Sequence, residues 1–129
     1  MRMLSLLALA ALPLSACATT DRMALVEDGY ERGALGVAAI DRGDYAAAEA
    51  VIDRKSGNVA ADDPARLINL GTVYMNTGRP GMALSAWRLA AASDSHFMVA
   101  TRDGRWVNTK DLAEQALARH GQAVRSATR

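Results

Sequence analysis

The feature that most constrains the fold is a self-similarity. When the chain is slid against itself by 35 residues, Leu35 meets Leu70, Gly36 meets Gly71, Gly43 meets Gly78 and Ala48 meets Ala83. Ile52 falls opposite Trp87, both large and apolar. A fixed period in this range marks stacked supersecondary units, and here the unit reads as helix, glycine turn, helix. In the first copy a helix running to about Arg42 ends at Gly43, the usual left-handed cap residue. Asp44 then stands where an N-cap belongs, and Tyr45, Ala48 and Ile52 make the apolar stripe of the next helix. In the second copy Leu67, Leu70, Gly71 and Tyr74 follow helical spacing up to Gly78. Pro80 opens the following helix at its first position, where a missing N–H is harmless, and Ala83, Trp87 and Ala90 form its buried stripe.

A glycine inside a helix costs about 1 kcal/mol relative to alanine. Gly71, and Gly36 in the matching position, therefore read as close-contact sites where the lack of a side chain lets paired helices approach. On this reading Gly71→Ala gains about 1 kcal/mol of helix propensity, whereas Gly71→Leu overpacks the pair and costs about 1–3 kcal/mol or more.

The pattern resembles the tetratricopeptide repeat, in which a large apolar residue, Leu-Gly and Tyr mark the first helix and Gly, Ala, an aromatic and Ala follow. Leu67, Leu70, Gly71, Tyr74, Gly78, Ala83, Trp87 and Ala90 match that series in order. The first unit matches at Leu35, Gly36, Gly43, Ala48 and Ile52, but Arg32 and Ala39 replace the expected aromatics. Lys55 stands where the family buries alanine, so the second helix is expected to end early, near Gly57. The proline that closes a unit comes late, as Pro64. The resemblance covers roughly half of the chain and implies an all-α fold.

Two repeats seldom suffice, since at least three are usually needed to bury a stable core. The remaining sequence reads as the missing cover. Asp103-Gly104 is a tight-turn signal between β-prone runs at Phe97–Thr101 and Trp106–Val107, which form either a small hairpin or an irregular loop. Thr109 starts a helix in which Leu112, Ala113, Ala116 and Leu117 recur at helical spacing before a stop at Gly121. This helix is expected to cap the C-terminal end. Residues 122–129 read as a frayed tail, leaving a folded domain over residues 25–121.

The first residues pose a different problem. Arg2 precedes an apolar stretch from Met3 to about Leu14, too short for a membrane-spanning helix of roughly 20 residues. A basic start, an apolar middle and a small-residue end are those of a secretory signal peptide over residues 1–16. Leu14-Ser15-Ala16-Cys17 resembles the lipobox of bacterial lipoproteins, which implies cleavage before Cys17 and acylation of its thiol and new amino group. The plainer alternative is an ordinary signal peptide with a chance cysteine. Cys17 is the sole cysteine of the chain, however, and an exported thiol without a disulfide partner is a liability. Two or three acyl chains give durable anchoring. Residues 18–24 then form a short tether. Ala18, where an aspartate commonly signals inner-membrane retention in Gram-negative lipoproteins, favours the outer membrane.

Composition narrows the function. The net charge is +1 and the arginines are spread along the chain, so no field argues for nucleic acid. His96 and His120 are the only histidines, and no HExxH, GxSxG, P-loop or paired-cysteine pattern is present. His120 reads as a helix-dipole partner in a last turn and His96 as a loop hydrogen-bonding residue. Asp62 and Asp63 precede a helix beginning at Pro64 and complement its N-terminus. Asp41 and Asp44 lack the further carboxylates of a calcium loop. No catalytic residue, metal or cofactor is expected.

Binding is the better class. In tetratricopeptide proteins the first helices of successive units line a concave face that receives a peptide or partner helix. Carried onto matching positions, that face holds Tyr30, Val37, Ile40, Asp41, Ile68, Thr72, Met75 and Asn76. It is a mostly apolar strip suited to an amphipathic segment; alternatively, Val37, Ile40, Ile68 and Met75 pack against the C-terminal helix. The resulting expectation is a lipid-anchored scaffold for protein partners at the periplasmic face of the outer membrane. A narrower alternative is a pilotin-like assembly factor for a secretion or pilus system. A cell-wall glycan binder would need exposed aromatics, for which Tyr30 and Trp106 are the candidates.

Overall fold

The computed structural model describes Tyr30 and residues 32–53, 59–101 and 104–127. The signal peptide, Cys17, the tether, Lys55, Gly57 and Asp103 lie outside the described residues. The described chain is mostly helical. It contains α1 (Val37–Asp41), α2 (Tyr45–Asp53), α3 (Pro64–Asn76), α4 (Pro80–Ala91), β1 (Met98–Ala100), β2 (Trp106–Asn108) and α5 (Thr109–Ala127).

Local chemistry fixes most of the helix ends. Asp44 caps α2, its Oδ1 accepting from the Ala47 N–H at 3.1 Å. Asp63 caps α3 by accepting from the Arg66 N–H at 3.0 Å, with Pro64 next to it at the first helical position. Gly43 and Gly78 are left-handed, at φ +72° and +74°, where the chain turns from one helix into the next. Both hairpins thus close where the sequence places their caps.

The first helix differs from its expectation. Gly36 is left-handed at φ +66° and sits at the N-cap of a five-residue α1, whereas Gly71 is inside α3. The repeat therefore matches in sequence without matching in conformation. Closeness survives all the same: a Cβ on Gly36 would lie 3.2 Å from the Ala48 carbonyl oxygen and 3.3 Å from the Ile52 Cδ1.

Two apolar clusters hold the elements together. The larger gathers Leu35, Ala65, Leu67, Ile68, Ala83, Leu84, Trp87, Ala90, Val99, Leu112, Ala113 and Ala116. The smaller joins Ala39 and Ile40 of α1, Ala48 and Ile52 of α2, and Leu70 and Val73 of α3. Half-buried Tyr74 packs against both. Hence α3 is the shared wall, one side facing α1 and α2 and the other facing α4 and α5.

The cover is a hairpin and a helix. Residues β1 and β2 pair antiparallel, Val99 opposite Val107, and Val99 is buried in the larger cluster. Relative to the β-prone runs, β1 is one residue shorter at each end and β2 one residue longer. Beyond β1 the Thr101 N–H donates to the Arg105 carbonyl at 2.7 Å, while its own carbonyl accepts from the Gly104 N–H at 2.8 Å. The last helix does not stop at Gly121; α5 continues to Ala127. A single glycine costs only about 1 kcal/mol, and Val124 beyond it packs against the larger cluster. The expected frayed tail is helical as far as Ala127, and His120 is inside the helix instead of in its last turn. Its ring stacks on Trp87, centroids 5.3 Å apart.

Candidate partner-binding face

The predicted groove divides when its residues are placed in the fold. Ile68 is fully buried in the larger cluster beside Leu112, Ala113 and Ala116 of α5. Thr72 and Ile40 are also buried. Thr72 donates to the Ile68 carbonyl at 3.2 Å, and exposed Asn76 donates to the Thr72 carbonyl at 2.8 Å. As groove residues Ile68, Ile40 and Thr72 are corrected: α4 and α5 cover one side of α3, while α1 and α2 cover the other. Sequence spacing marks a helical face, but only the docking of α5 decides whether it is open.

Val37 and Met75 are half-buried, and Asp41 and Asn76 are exposed. These four residues remain reachable, at α1 and at the C-terminal end of α3. Tyr30 is half-buried and engaged. Its hydroxyl faces both Asp63 carboxylate oxygens, at 3.0 and 2.8 Å, and its ring packs tilted against Phe97 at 6.4 Å. Burial, then the hydrogen bond to Asp63, pushes the Tyr30 hydroxyl well above its ordinary pKa. Asp63 therefore does two jobs, capping α3 and fastening Tyr30. Of the two aromatic candidates for a glycan, only Trp106 is exposed.

Gly71 lies directly against Trp87 in the α3–α4 hairpin. A Cβ on Gly71 would stand 2.6 Å from Trp87 Cδ1 and 2.7 Å from Cε2. The Trp87 indole N–H donates to the Ile68 carbonyl at 3.1 Å, so the ring is held against α3 by its polar edge as well as by packing. The close-contact reading of Gly71 holds, but the expected gain from Gly71→Ala does not: even a methyl group displaces the ring.

Two anchoring groups escaped the sequence reading. Asn69 is fully buried and donates to the Leu35 carbonyl at 3.0 Å, tying the turn before α1 to α3. The only signal was a polar residue inside an apolar helical run. Arg79, in the turn before α4, grips Glu49 of α2 with both terminal nitrogens at 2.8 and 2.5 Å, and its guanidinium lies 4.6 Å above the Tyr74 ring. Residues 30 apart gave no local clue to this pair.

The Arg79 hydrogen bonds hold the Glu49 carboxyl below the usual carboxylate range. A folded value below the unfolded one means that the stabilisation is present above the ordinary carboxylate range and is lost as pH falls through the lowered value. Glu49→Gln is thus expected to lower the melting temperature slightly at about pH 7 and by less at about pH 3. Paired thermal melts check this. An equal loss at both pH values would assign the effect to packing.

Among the described residues no three His, Cys, Asp or Glu side chains gather as a metal site. No helix among them is long and apolar enough to cross a membrane. No protein-family model, curated protein or solved structure matches this chain.

Proposed function

We propose that the chain is a lipid-anchored, tetratricopeptide-like scaffold that mediates protein–protein interactions at the periplasmic face of the outer membrane. The observation that carries this reading is the placement of the sole cysteine at the end of Leu14-Ser15-Ala16-Cys17, directly after a short apolar leader. The two acyl groups on its thioether and a third on its amino group hold the domain at the lipid surface. Ala18 directs it outward. The helical hairpins supply the binding half: Val37, Asp41, Met75 and Asn76 present a small mixed surface to an amphipathic segment of a partner. Such a surface gives modest affinity, and confinement to a membrane raises the local concentration of both partners.

Cys17→Ser tests the anchor. The variant is expected to lose its acyl groups by intact mass and to move from the membrane to the soluble fraction. A Cys17→Ser chain that still carries lipid and still sediments with outer membranes would falsify the reading.

A further inference from the structure

We infer that the outer face of the β1–β2 hairpin rests on the bilayer, the phospholipid surface being its occupant. The inference rests on acylation of Cys17. Strand register divides the hairpin into two faces. Val99 and Val107 face the core side, and Met98, Ala100, Trp106 and Asn108 share the opposite face. On that outer face Met98 is 53% exposed and Trp106 is 64% exposed, two of the four large apolar side chains left open among the described residues. Met98 and Trp106 are diagonal neighbours across the ladder, within reach of one another.

The N-terminal chain joins the fold at the base of this same hairpin. Tyr30 packs against Phe97, and Phe97 immediately precedes β1. Phe97 is itself fixed to the start of α5, its carbonyl accepting from the Thr109 N–H at 3.0 Å. From Cys17 to Tyr30 the chain advances 13 residues, which can span at most about 45 Å. An acylated Cys17 therefore keeps the hairpin close to the lipid, where a weak contact is made at high effective concentration. The side chains suit that place. Tryptophan prefers the membrane–water boundary, where its ring is half wetted. Exposed Lys110, two residues beyond β2, complements anionic headgroups, with exposed Asp111 one residue further along α5.

The test uses the full, acylated chain in vesicles of phosphatidylethanolamine and phosphatidylglycerol whose acyl chains carry bromine just below the headgroups. Trp87 is fully buried and sets the unquenched background. The expected result is a loss of tryptophan emission in brominated relative to plain vesicles, absent in Trp106→Phe and reduced in Met98→Asp. An acylated, vesicle-bound chain whose emission is the same in both vesicles overturns the inference and leaves the anchor standing. So does a Trp106 that is bromine-insensitive but becomes shielded from iodide when envelope proteins are added, which assigns the face to a protein. A chain recovered without acyl groups overturns the anchor and this inference with it.

Discussion

Gly71→Ala is expected to lower the melting temperature by several degrees, and Gly71→Leu to lower it further. The alanine variant is the sharper of the two, because two effects compete in it. Helix propensity favours alanine by about 1 kcal/mol. Against that, the new methyl group would sit within 2.7 Å of ring atoms of Trp87, which has no exposed surface into which to retreat. One edge of the indole is bonded to the Ile68 carbonyl, and the ring is stacked against His120. Shifting it breaks the bond or opens the α3–α4 pair. Overpacking of this kind costs about 1–3 kcal/mol, which exceeds the propensity gain over most of that range. Each net kcal/mol moves the midpoint by about 4 °C for a domain of this size. Trp87→Phe removes the atoms that clash, so the penalty of Gly71→Ala should shrink in that background. Circular-dichroism melts of the four proteins decide it; a Gly71→Ala chain at least as stable as its parent would mean that the contact is loose.

Ile68→Ser should be the most damaging single truncation on α3, and Met75→Ser nearly neutral. The two residues are one heptad apart and read as members of the same helical stripe. Ile68 has no exposed surface, whereas Met75 is half-buried at the edge of the larger cluster. Removing a buried isoleucine side chain costs about 2–5 kcal/mol through lost transfer energy and the cavity left behind. The serine hydroxyl adds a buried polar group that must find a partner. For a domain with roughly 5–15 kcal/mol in total, that is a large share. Urea titrations with unchanged slope and a much lower midpoint are expected for Ile68→Ser. Equal stability of the two variants would place Ile68 on an open face.

The contrast between Ile68 and Met75 shows where sequence reading runs out. Helix boundaries were legible wherever a local group sets them: Asp44 and Asp63 as caps, Pro64 and Pro80 as first residues, Gly43 and Gly78 as left-handed exits. The buried stripe Ala83, Trp87 and Ala90 was legible from spacing, since all three have no exposed surface. Gly36 and Gly71 were not separable, because the same residue at the same repeat position adopts a left-handed turn in one copy and helix in the other. What distinguishes them is the neighbour each one meets, the Ala48 backbone or the Trp87 ring. Gly121 carried a stop signal worth only about 1 kcal/mol, too weak to set a boundary against continued helix and the packing of Val124. The groove failed for a related reason. Which side of α3 is open depends on where α5 lands, and Leu112, Ala113 and Ala116 fix that through contacts far away in sequence. Asn69 and the Glu49–Arg79 pair are likewise products of long-range folding, so neither has a local signature.

The scaffold reading stands or falls on whether the open end of α3 meets a protein partner. Site-specific photo-crosslinking in the intact envelope tests this directly, with the reactive residue placed at Asn76 and, as a control, at Ser85 on the exposed side of α4. The expected result is a discrete protein adduct from position 76, none from position 85, and loss of the adduct when Met75→Asp is added to a chain that still folds and remains membrane-bound. Position 76 without an adduct, or with the same pattern as position 85, would contradict it.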